Sequence, residues 1–161
     1  MLEYAPPQTF RYGEVIGYPK LNREIRDQQV WKHDRMPTSA YIDSKEGIGF
    51  SQPTELLAVS LFAPERGYIS AEAWALVYRE YSQTHWGLRI KVAVEDGESQ
   101  YGTLTDYKNN SQQRSLDECS ARVLVERGVY SVALEGVETQ SYGGGGPRAY
   151  SRGLLAKWEN G

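Results

Sequence analysis

Few residues in this chain have the type and spacing to do chemistry. Its single thiol, Cys119, could pair with His33 or His85 as nucleophile and base. No local signature surrounds any of the three, and they stand far apart in the sequence. A zinc site needs roughly three or four ligands at suitable spacing, which the same trio does not supply. Asp96-Gly97-Glu98, with Asp106 downstream, could suggest a calcium-binding hairpin. Calcium takes about six to eight oxygens, whereas a tight turn at Asp96-Gly97 explains these residues without any ion. Gly143-Gly144-Gly145-Gly146 invites a phosphate-loop reading. A phosphate loop continues into Lys-Ser/Thr and a helix, but Pro147-Arg148-Ala149-Tyr150 follows here, so a hairpin loop is expected. A glycosidase pair cannot be chosen from carboxylate count, because the separation that matters is spatial. The expectation is a protein without catalytic residues, cofactor or metal.

One cluster has a binding chemistry. Trp74, Tyr78, Tyr81, His85 and Trp86 fall within a short stretch. Trp and Tyr join an apolar body to a polar handle, which suits stacking on a sugar as well as packing in a core layer. Trp86 follows the polar Ser82-Gln83-Thr84-His85 and is expected near a loop rim. Trp74, Tyr81 and Trp86 are the expected platform if a glycan binds.

The elements that would position such residues can be read from composition and period. The chain has 161 residues, 40% hydrophobic and 24% charged, which is enough to bury a core. A formal net charge of −3, with both signs spread along the chain, argues against nucleic acid or an anionic membrane as partner. The first residues, Met1-Leu2-Glu3-Tyr4-Ala5-Pro6-Pro7, lack the basic and apolar regions of a signal peptide, so synthesis and folding in a cytoplasm are expected. One cysteine excludes an intrachain disulfide.

Residues 1–52 show no sustained period of two and no helical stripe. Apolar residues come singly or in pairs between Pro6-Pro7, Pro19, Pro37 and several glycines. Leu21–Trp31 could hold a short helix. The segment reads as an extended arm with Tyr4, Phe10, Tyr12, Tyr18, Trp31 and Tyr41 seated in pockets, on a partner or on the chain's own domain. Residues 53–161 read as an all-β domain. Leu57, Val59 and Leu61 alternate, then Leu88, Ile90, Val92 and Val94. Asp96-Gly97 predicts a hairpin returning over Ser99–Leu104. Ala121–Val125 is a short strand, Tyr130, Val132 and Leu134 line the next, and Gly153–Trp158 closes the chain. Gly67–Tyr81 matches both templates, and strand is favoured because its neighbours are strands. The polar stretch from Leu104 to Ser120 is expected to cross one end of the fold. Seven or eight short strands separated by turns predict a β-sandwich or jelly-roll.

The layout resembles the β-sandwich modules of tailed-bacteriophage structural proteins, the capsid-decoration and head- or tail-fibre types. It is carried by PTELLAVSLFAPERGYISAEAWA (Pro53–Ala75), GLRIKVAVEDG (Gly87–Gly97), RVLVERGVYSVALEG (Arg122–Gly136), the glycine-rich hairpin and RGLLAKW (Arg152–Trp158). The resemblance implies a virion protein, a homotrimer seated on a capsid or built into a fibre. The rival reading is a lectin-like carbohydrate-binding module.

Overall fold

Alternation of apolar and polar residues decides the architecture. The computed structural model describes residues 37–78, 85–94, 97–105, 114–140 and 146–161. Among the described residues the chain forms nine strands: β1 (Ser39–Ser44), β2 (Ile48–Gly49), β3 (Thr54–Ala63), β4 (Gly67–Tyr78), β5 (His85–Val94), β6 (Ser99–Tyr101), β7 (Arg114–Val125), β8 (Gly128–Gln140) and β9 (Arg148–Asn160). They make two antiparallel sheets. One has the order β1-β9-β4-β7, with β2 also on β9; the other has the order β3-β8-β5-β6. From β3 onward the chain changes sheet at every connection except the β5–β6 hairpin. That is the jelly-roll arrangement, two Greek keys folded face to face. The expected fold class is the observed one.

Gly67–Tyr78 is strand throughout, resolving the two readings of that segment. Its odd positions, Ile69, Ala71, Ala73, Ala75 and Val77, point inward and are buried. The facing sheet supplies larger groups: Trp86, Leu88, Ile90 and Val92 from β5, and Tyr130, Val132 and Leu134 from β8. These residues share one hydrophobic cluster with Leu57 and Leu61 of β3 and Leu154 of β9. The small row on β4 lets the large rows close on it without voids, which a dense interior requires.

Two expectations change. The stretch from Leu104 to Ser120 is not simply a crossing link, because β7 begins at Arg114. Its polar sequence hides a period of two: Asp117 and Cys119 point inward with Val123 and Val125, while Ser, Glu and Arg alternate outward. The expected arm is described only over its last residues, and these are strand. Tyr41 lies on β1, which pairs with β9 from Ser39↔Lys157 to Ser44↔Arg152. Phe50 is buried, its backbone N–H donating to the Pro147 carbonyl at 3.0 Å. Short strands interrupted by Gly47 and Gly49 lack the run length that a periodicity test needs. Tyr4, Phe10, Tyr12, Tyr18 and Trp31 lie outside the described residues.

Two polar links tie one sheet to the other. The Trp86 indole N–H of β5 donates to the Asp117 carboxylate of β7 at 2.7 Å. On the opposite flank, Arg152 of β9 donates from Nε to the Leu56 carbonyl of β3 at 2.8 Å. Its Nη1 donates to the Tyr150 carbonyl at 2.8 Å and to the Glu46 carbonyl. A buried guanidinium is tolerable because carbonyls replace its water. Glycine has one structural task at the β5 edge. A Cβ on Gly87 would strike the Thr105 carbonyl. That close approach lets the Thr105 hydroxyl accept from the Leu88 N–H and donate to the Leu88 carbonyl, both at 2.9 Å, while the Thr105 N–H donates to the same carbonyl at 3.0 Å.

Arg152→Met keeps the volume and removes the donors, leaving the Leu56, Glu46 and Tyr150 carbonyls short of partners. Urea unfolding is expected to show a loss of about 3 kcal/mol, with the denaturant slope unchanged.

Candidate functional site

The outward face of the β9 sheet gathers the residues best suited to recognition. Even positions of β4 point there, and the register sets their neighbours. Glu72 lies between Leu155 and Ser120, and Tyr41 pairs across from Leu155. Trp74 lies between Gly153 and Glu118, with Asp43 beyond Gly153. Leu76 faces Leu116, and Tyr78 lies between Arg148 and Arg114. The face therefore reads, along β4, as an acidic and aromatic band, a leucine band, and a basic and aromatic band.

Two grooves follow these bands. One, of about 560 Å³, is lined by Tyr41, Glu72, Trp74, Glu118, Ser120 and Leu155 among others. The other, of about 450 Å³, is lined by Lys45, Leu76, Tyr78, Arg114 and Tyr150. Tyr78 and Tyr150 meet edge to face, ring centroids 6.4 Å apart at 71°. The Arg114 guanidinium lies 5.9 Å from the Tyr78 ring centre. Trp74 is set by the glycine beside it. A Cβ on Gly153 would come within 2.5 Å of the indole Nε1, 2.8 Å of Cε2 and 3.1 Å of Cζ2. The indole thus lies across bare backbone, half-buried, on the rim of the first groove.

Beyond Glu72 the face becomes an ion-pair network. Glu159 accepts from Lys157 at 2.8 Å and from the Ser70 hydroxyl at 2.7 Å, with Arg122 at 3.8 Å. The Lys157 hydrogen bond, followed by that of Ser70, holds the Glu159 carboxyl below the ordinary carboxylate range. The Arg122 guanidinium sits 4.0 Å over the Tyr68 ring. These groups satisfy one another, with the exposed Leu124 across from Tyr68.

The titratable groups behind this face are arranged for packing. Cys119 points inward, and burial pushes its thiol up to about 12, so it is protonated at neutral pH and a poor nucleophile. Asp117 accepts from Trp86 Nε1 and from the Ser115 hydroxyl. Among the described residues no group of three or more His, Cys, Asp or Glu side chains is placed to hold a metal. His85 opens β5, while His33, Asp96, Asp106 and Gly143–Gly145 lie outside the described residues.

The structure separates the expected glycan platform. Trp74 lies on the outer face. Trp86, placed by its polar neighbours near a rim, is 1% exposed in the core. Its parity with Leu88, Ile90 and Val92 explains this: a two-residue step back along the strand lands on the same inward face. Tyr81 is outside the described residues. Tyr41, expected to seat itself on a partner, is 58% exposed and borders the Trp74 groove. Sequence reading missed Leu116 and Leu155, exposed at 62% and 42%. An apolar residue out of phase with its strand's buried set was the available signal.

No family model matches the sequence, and no curated protein matches it. Solved structures do share its fold. A chain of the T=1 particles derived from infectious bursal virus superposes with a TM-score of 0.56 at 13% identity, covering 78% of this chain and 32% of the other. The VP2 subviral particle of infectious bursal disease virus gives 0.56 at 15% identity over 76% and 33%. The protein spans about a third of the length of these chains. At such identities the likeness establishes the β-sandwich fold.

Trp86→Phe leaves the buried Asp117 carboxylate without its indole donor. A destabilisation of about 2 kcal/mol is expected in urea unfolding, against less than about 1 kcal/mol for Trp74→Phe on the outer face.

Proposed function

We propose that this chain is a non-enzymatic structural protein of a virion, of the capsid-decorating or fibre type, which works by occupying a place in an assembly. The observation that carries the reading is the β-sandwich fold, with strand order β1-β9-β4-β7 over β3-β8-β5-β6, which superposes on chains of viral particles at a TM-score of 0.56. The spent polar groups of the interior support it. Asp117, Arg152 and Cys119 are engaged or buried, and two grooves lie on the surface of one sheet. The partners proposed are further copies of the chain, as a homotrimer, and a capsid or other virion protein. The N-terminal segment, with Tyr4, Phe10, Tyr12, Tyr18 and Trp31, is proposed to add contact area in that assembly.

Particles purified from cells producing the protein test this. The chain should sediment with intact particles at a fixed stoichiometry and survive a moderate salt wash. Its absence from washed particles would overturn the reading.

A carbohydrate-binding role keeps one observation in its favour, the Trp74 indole held across Gly153 beside Tyr41 and two carboxylates. On that reading a glycan array shows retention by the native chain and none by Trp74→Ala. A blank array for the native chain disposes of it.

A further inference from the structure

We infer that the outer face of the β9 sheet is where a second copy of this chain docks. The inference rests on the assembly reading above and names its surface. Five of the eight exposed large apolar side chains among the described residues lie on this face: Tyr41, Leu116, Tyr150 and Leu155 around the two grooves, and Leu124 beside Tyr68. Leu116, at 62%, is the most exposed of them and sits in the leucine band between the two grooves. Trp74 and Tyr78 extend the patch on either side of Leu76. A contiguous patch of Tyr, Trp and Leu, rimmed by charge, has the composition of a subunit contact.

Charge selects the occupant. Asp43, Glu72 and Glu118 surround the band that contains Trp74, while Lys45, Arg114 and Arg148 surround the band that contains Tyr78. A partner of one sign, such as nucleic acid or an anionic bilayer, meets repulsion from one of the two bands. A second copy brings both signs in the same proportion. The small net charge of −3 lets copies approach without strong mutual repulsion. A leucine band flanked by opposite charges is also able to fix the register of the contact, since a slip along β4 sets like charges together.

Leu116→Arg places a cation in the centre of the patch without touching the core, because the side chain points outward from an edge strand. Ser131→Arg does the same on the exposed face of the other sheet and serves as control. Light scattering on the full chain at about 50 µM should give at least twice 18.2 kDa for the native protein. Leu116→Arg should fall to a single-chain mass with its circular dichroism spectrum intact, and Ser131→Arg should keep the native mass. Leu116→Ala, which cannot be rejected for an added charge, should weaken association by roughly tenfold in concentration. A native mass of one chain overturns this inference, while sedimentation with particles continues to decide the virion reading by itself. An oligomer that survives Leu116→Arg shows that copies meet elsewhere and also overturns it.

Discussion

Everything in this fold depends on two unequal inner faces meeting. The β9 sheet presents a row of small side chains along β4, with Ala71, Ala73 and Ala75 in its middle. The β8 sheet presents Trp86, Leu88, Ile90 and Leu134. Small against large fills the gap between sheets at the density of a solid, and neither row could be exchanged alone. The hydrophobic effect then closes the sandwich. What it cannot do is fix how the sheets slide. Among the described residues, cross-sheet hydrogen bonds constrain that, Trp86 to Asp117 on one flank and Arg152 to the Leu56 carbonyl on the other. Apolar contact supplies adhesion, and the directional bonds supply alignment.

The same division explains why the interior has no chemistry to spare. An aspartate held by an indole and a hydroxyl, an arginine held by carbonyls, and a thiol pushed far above neutrality are groups committed to structure. The exposed aromatic and leucine side chains gather on the surface of one sheet. There, bare backbone at Gly153 seats Trp74, and the ladder places leucines between bands of opposite charge.

Much of this was legible from period two. The inward rows of β5 and β8 and the hairpin after β5 follow from the alternation of Leu88 through Val94 and of Tyr130 through Leu134. The jelly-roll class follows from strand spacing. Three features resisted. The start of β7 is masked by an inward aspartate and cysteine, which read as polar filler until a facing tryptophan explains them. Trp86 was drawn outward by polar neighbours in sequence, although its parity already set it with the core. β1 and β2 are too short to show a period, and their pairing with β9 depends on residues far away in the sequence, from Ser39↔Lys157 to Gly49↔Arg148. Local pattern reports which way a side chain points. It does not report what waits on the other side.

The position of β9 sets a condition on time as well as space. It is the last strand in the sequence, yet it lies inside its sheet, bonded to β1 and β2 along one edge and to β4 along the other. Until residues 148–160 leave the ribosome, β1 has nothing to pair with and β4 is an open edge. At about 5–20 residues per second, the interval between the emergence of β1 and that of β9 is roughly 5–20 seconds. Through that interval the alanine row and the exposed strand edges must be kept from neighbouring nascent chains. The yield of folded chains is decided in that interval.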